Sequence, residues 1–213
     1  RLQDAAHERE ALERVRDLSF ALDQLLAREE FGTRIDRRRI AAAGHSYGAN
    51  TVMLAAGASV QREGRQIRLR DPRVTAAVLL SAPPFYGEED LKAILQSITL
   101  PTLHVTATED VIRIPGYFSG ADDRIAVYET TGSRRKWLAV FEGGSHSMFT
   151  DRIAAGGVTI NPQVKAATKE LSLAFLHNVF GQGDAQALAA WAQRHRPILA
   201  RFVGPQALAL TPI

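Results

Sequence analysis

Apolar positions in the first thirty residues fall at Leu2, Ala5, Leu12, Val15, Leu18, Leu22, Leu25 and Leu26, with arginine and glutamate between them. That spacing draws one apolar stripe along a helix and leaves a charged opposite face, and Gly32 follows as a stop signal. The pattern then shortens. Arg39-Ile40-Ala41-Ala42-Ala43 runs into Gly44, which predicts a strand buried in a parallel sheet. The small apolar residues from Tyr47 to Ala58 predict a helix packed against it. Three more short apolar runs follow, at Val74 to Leu80, Leu100 to Thr106 and Trp137 to Phe141. Helices are predicted at 88–95, 121–130 and 163–180, the last with Leu171, Phe175, Leu176 and Val179 on one side. Residues 185–202 read as a further helix interrupted at Pro197. Four short strands alternating with helices predict an α/β fold with a mostly parallel sheet and right-handed crossovers. No internal repeat or linker divides residues 1–213, so a single domain is expected.

Composition narrows the class. The chain is 46% hydrophobic and 23% charged, which suits one domain with a sizeable core. No run reaches the roughly 18 consecutive apolar residues of a membrane-spanning helix, so no membrane span is expected. The absence of cysteine excludes disulfides and thiol catalysis. The net charge is only +3, and the basic clusters Arg37 to Arg39 and Arg134 to Lys136 flank predicted strands. A nucleic-acid face would gather such charge with interleaved aromatics, so no nucleic-acid partner is expected. His7, His177 and His195 show no metal-ligand spacing, His104 reads as a core residue of a strand, and no glycine loop suits a phosphate. No metal or cofactor is expected, and nothing in these residues assigns a localisation.

Gly44-His45-Ser46-Tyr47-Gly48 is G-x-S-x-G, placed where a strand must turn sharply into a helix. A serine on such a turn is presented at the carboxyl edge of the sheet. The flanking glycines let the backbones pass, and the helix N-terminus favours developing negative charge. His45 is expected to pack beside the serine. Two more groups emerge at the same edge. The run beginning at Pro101 ends in Thr108-Glu109-Asp110, and the run beginning at Trp137 ends in Glu142-Gly143-Gly144-Ser145-His146. Open α/β sheets build their sites past the carboxyl ends of strands. The order serine, carboxylate, histidine is that of a nucleophile-elbow hydrolase. Glu109 and Asp110 both qualify as the acid, whereas Asp122 and Asp123 better suit the cap of the following helix. Glu142 reads as a solvated loop carboxylate.

From Arg1 to about Phe180 the chain resembles the α/β-hydrolase superfamily. The residues that carry the resemblance are Gly-His-Ser-Tyr-Gly-Ala from Gly44, the stretch Asp71 to Pro84, and Gly-Gly-Ser-His-Ser-Met-Phe-Thr-Asp from Gly143. These resemble the dienelactone-hydrolase-like and platelet-activating-factor-acetylhydrolase-like esterases. Dienelactone hydrolases themselves use cysteine, so Ser46 favours ordinary ester hydrolysis. The resemblance implies a three-layer α/β-hydrolase fold and places the acid at the Asp of Thr-x-Asp, which is Asp110. It implies Ser46 as nucleophile, His146 as base and the backbone N–H of Tyr47 as one oxyanion donor.

Residues 82–99 leave room for a loop and one short helix but no lid domain. Pro83, Pro84, Phe85, Tyr86, Met148 and Phe149 are the candidate walls of an open, apolar site for small or medium esters. The resembled fold carries further strands, and a second oxyanion donor, upstream of its elbow strand. This stretch is therefore expected to be the elbow-to-C-terminus portion of that fold, completed by an N-terminal segment or a second chain. Otherwise the elbow strand exposes an apolar edge. A serine peptidase or acyltransferase uses the same triad, and a hydrolase fold that only binds is the third reading.

Overall fold

The computed structural model describes residues 8–62, 65–85, 87, 90–150, 160–184 and 186–205. The apolar stripe at the start of the chain folds as helix α1 (Glu8–Ala27), with the short turn α2 (Glu29–Gly32) after it. Strand β1 (Ile40–His45) leads into α3 (Tyr47–Ala56), and a hairpin of β2 (Ser59–Arg62) and β3 (Arg65–Arg68) precedes β4 (Val74–Leu80). Next come α4 (Leu91–Leu95), β5 (Thr102–Glu109), a hairpin of β6 (Ile112–Ile114) and β7 (Tyr117–Ser119), α5 (Ala121–Thr130) and β8 (Lys136–Ser145). The chain continues through α6 (Asn161–Val179), α7 (Ala187–His195), one 3-10 turn and β9 (Leu199–Val203).

The central sheet runs β1-β4-β5-β8-β9, with the first four strands parallel and β9 antiparallel at the edge. This is an α/β architecture of three layers. Val15 of α1 packs with the buried face of α3, with Ala42, Ala77 and Leu79, and with Ile94, Leu95 and Val127 of α4 and α5. The other face of the sheet presents Val78, Leu103, Val105, Trp137 and Phe141 to Leu171 and Phe175 of α6 and Trp191 of α7. Side chains alternate along each strand, so neighbouring residues serve opposite layers.

Two expectations need correction. The helix read over 185–202 ends at His195, and Leu199–Val203 is a fifth strand of the sheet. Pro197 has no N–H to donate and stops the helix. The residues after it gain a ladder with β8, and Phe202 rests 5.3 Å from the Trp191 ring. The sequence predicts no element over the two hairpins. β2 and β3 are four residues each and hold mostly Arg, Gln and Ser, so they carry no apolar run for periodicity to detect.

Among the described residues β1 pairs only with β4, and Ala41 and Ala43 are exposed. Both lie on an open edge of the sheet.

Candidate active site

Parallel pairing brings the three candidate residues to one edge. His45 is registered with Leu80, and Glu109 with Ser145. The residues that leave the strands next are therefore Ser46, Ser81, Asp110 and His146. A register shift between Ala107 and Glu109 lets β5 and β8 end together despite their unequal lengths.

Ser46 sits between β1 and α3 at φ 55°, ψ −124°, a conformation that L residues avoid. Surrounding bonds hold it there: its N–H donates to Leu80 O at 2.9 Å, and its carbonyl accepts from Ala49 N at 2.8 Å. Gly44 explains why the strand meets the helix so closely, since a Cβ there would overlap the backbone of Gly48 and Ala49. Tyr47 opens α3, where helix geometry leaves N–H groups without intrahelical acceptors, so its N–H is available beside the serine.

His146 Nε2 lies 2.8 Å from Ser46 Oγ, and His146 Nδ1 lies 2.7 Å from Asp110 Oδ1. The structure thus joins Ser46, His146 and Asp110 in one hydrogen-bonded chain. Glu109 is exposed and does not reach the imidazole. Asp123 instead accepts from Gly120 N at 2.9 Å in the first turn of α5, the capping role expected of it. Asp110 is fully buried, and its second oxygen accepts from Thr106 Oγ1 at 2.7 Å. Burial pushes its carboxyl up, but the His146 hydrogen bond, the Arg124 guanidinium and the Ser81 and Thr106 hydroxyls outweigh it and hold the group below the ordinary aspartate value.

Several supporting residues escaped the sequence reading. Thr108 Oγ1 accepts from Gly143 N at 2.8 Å and donates to Glu142 Oε1 at 3.3 Å, tying the loop of the acid to that of the histidine. Glu142 is thus exposed but engaged. Ser81 is fully buried at φ 47° beside the acid. Arg124 is buried with its Nε 3.5 Å from Asp110 Oδ1. A hydroxyl two residues before a candidate acid is a faint signal; an arginine inside a helix gives none.

His45 packs beside the serine as expected, with its ring centroid 4.9 Å from that of His146. Its Nε2 donates to the His146 carbonyl at 2.9 Å, which assigns the proton to that nitrogen. Burial lowers its pKa. His104, buried on β5, stays neutral because burial pushes it down to about 3.

The candidate walls divide. Phe149 is half-buried, its ring 5.7 Å from His45. Met148 is fully buried in the core, with its sulfur over Gly144, and it supports the histidine loop from below instead of facing solvent. Phe85 is also in the core, and Pro83 is buried, with its carbonyl accepting from Asn50 Nδ2 at 3.1 Å. Pro84 is half-buried, and Tyr86 lies outside the described residues. Among the described residues no group of three or more His, Asp or Glu side chains is arranged to hold a metal ion, and no helix is long and apolar enough to cross a membrane.

No family model matches the chain, and no curated protein matches it. Among solved structures, it is similar to the native structure of a novel cold-adapted esterase from an Arctic intertidal metagenomic library. The identity is 20%, the TM-score 0.44, and the match covers 65% of this chain and 51% of that one. The zinc-bound structure of that esterase matches with a TM-score of 0.45 at the same identity and coverage. The chain spans about half the length of that esterase. Its functional reading therefore rests on its own geometry.

Proposed function

We propose that this chain is a serine hydrolase that cleaves carboxylic esters through an acyl-enzyme. The observation that carries the reading is the hydrogen-bonded chain from Ser46 Oγ through the His146 imidazole to Asp110. Ser46 Oγ attacks the ester carbonyl carbon while His146 Nε2 takes its proton. The tetrahedral oxyanion is met by the N–H of Tyr47 at the start of α3. As the intermediate collapses, His146 returns the proton to the leaving alcohol. Water then attacks the acyl-serine with His146 as base, and His146 passes that proton to Ser46 Oγ as the bond to the acyl carbon breaks and the carboxylic acid departs. Asp110 keeps the imidazole in the tautomer whose Nε2 is free to accept, and it stabilises the imidazolium.

Only one short helix, α4, stands between β4 and β5 among the described residues. That supports an uncapped site open to small or medium esters.

Hydrolysis of p-nitrophenyl acetate and butyrate by the wild type and Ser46→Ala tests the reading, with a fluorophosphonate label alongside. Ester turnover should fall at least about 1000-fold in the variant, and labelling should vanish. Labelling without ester turnover would identify a peptidase or acyltransferase on the same triad. Neither would mean a fold that only binds.

A further inference from the structure

Arg124 is a cation taken almost wholly out of water: 2% of its side chain is exposed, and its carboxylate neighbour Asp110 is at 0%. Removing a guanidinium from solvent costs several kcal/mol unless a charge partner compensates. Its bonds are few. Nη1 donates to Ser119 Oγ and, at 2.8 Å, to Gly120 O, while Nε and Nη2 make no hydrogen bond to any described group. Nε instead lies 3.5 Å from Asp110 Oδ1, the oxygen that receives His146 Nδ1–H.

The charged and titratable groups in its field come from four elements or their ends. Asp110 follows β5, Asp123 lies on the same helix, Tyr117 is on β7, and His45 ends β1. Asp123 is already committed to Ser119 Oγ and Gly120 N. That leaves Asp110 as the carboxylate with an oxygen facing the guanidinium, and His146 Nδ1 meets that same oxygen.

We propose that Arg124 is a positioning residue of this hydrolase, pinning Asp110 as a correctly turned carboxylate and setting the acid limit of activity through its charge. This rests on the serine-hydrolase reading above. A carboxyl with no solvent drifts toward its neutral form, which no longer holds the imidazole in the working tautomer, and the guanidinium opposes that drift, so activity persists to lower pH.

The test is the pH profile of kcat/KM for ester turnover, limited to the turnover that Ser46→Ala abolishes. If Ser46→Ala leaves turnover intact, the hydrolase reading itself fails, which is a separate result. In Arg124→Met the acid limb should move up by roughly one pH unit, because a nearby cation has been removed. In Arg124→Lys, which keeps the charge but not the planar fork, the limb should stay where the wild type has it even if kcat falls. A purely structural arginine would lower stability in both variants and leave both limbs in place.

A limb unmoved in Arg124→Met overturns the proposal, and so does an equal displacement in Arg124→Lys. Arg124→Gln, a neutral side chain whose amide nitrogen stands at the chain position of Arg124 Nε, replaces the Met variant if that one does not fold.

Discussion

At the scale of single residues, the elbow shows how two glycines in one motif do different work. A Cβ on Gly44 would overlap the carbonyl of Gly48 and press on Ala49 N, and these are backbone atoms that cannot swing aside. A Cβ on Gly48 would meet no described heavy atom within 4 Å. Gly44→Ala should therefore lower unfolding stability by on the order of 3 kcal/mol, at the upper end of overpacking costs. Gly48→Ala should lie within about 1 kcal/mol of the wild type and on the stabilising side, since alanine is the better helix former in α3. Urea unfolding midpoints of the two variants check this, and equal losses would contradict it. The sequence motif treats both glycines alike; only the packing tells them apart. The hydrogen-bonded set of Ser46, His146 and Asp110 was legible because its residue types, order and positions past strand ends are all properties of the chain. Arg124, Ser81 and Thr108 were not, because their roles depend on which loops meet in space.

At the scale of elements, the end of β8 leads into His146, the base of the proposed reaction. Gly144 lies two residues before His146, and a Cβ there would stand 2.5 Å from Met148 Sδ and 2.8 Å from Ala107 Cβ. Met148 is fully buried, and Ala107 belongs to β5, which ends in the loop carrying Asp110. Gly144→Ala should push the two strand ends apart and shift the imidazole from Ser46. Steady-state ester kinetics should show kcat lower by on the order of 100-fold, the usual effect of a misplacement near 1 Å, with KM changed far less. An unaltered kcat would mean that this contact does not set the position of the base. The four parallel strands were read correctly because buried parallel strands are continuous apolar runs. β9 was missed because Leu199 to Val203 is only five residues long, is broken by Arg201 and follows a helix whose pattern runs into it, so Pro197 looked like an interruption and not a boundary.

At the scale of the whole molecule, acid should weaken the fold in two stages. His104 is buried and neutral, with its Nε2 3.1 Å from Thr102 Oγ1 and its ring against Tyr128. Its folded pKa of about 3 lies below the 6.5 of a free histidine. The unfolded chain therefore binds this proton first, so the contribution is complete above pH 6.5 and drains away as pH falls toward 3. The loss is about 1.4 kcal/mol per pH unit across that window. Asp71, paired with Arg73 at 2.6 Å, has a pKa lowered from 3.8 to about 2. Its contribution is complete above pH 3.8 and is lost as pH falls through 2. Chemical unfolding at pH 7, 6, 5 and 4 should show a shallower decline in His104→Leu than in the wild type. Parallel slopes would show that His104 is not the group responsible.

Acylation of Ser46 is read by mass spectrometry of the protein acid-quenched during p-nitrophenyl butyrate turnover. A butyryl group should appear on the peptide that contains Ser46, and none in Ser46→Ala. Ester turnover with the acyl group on another residue, or with no covalent adduct at any time after mixing, would contradict it.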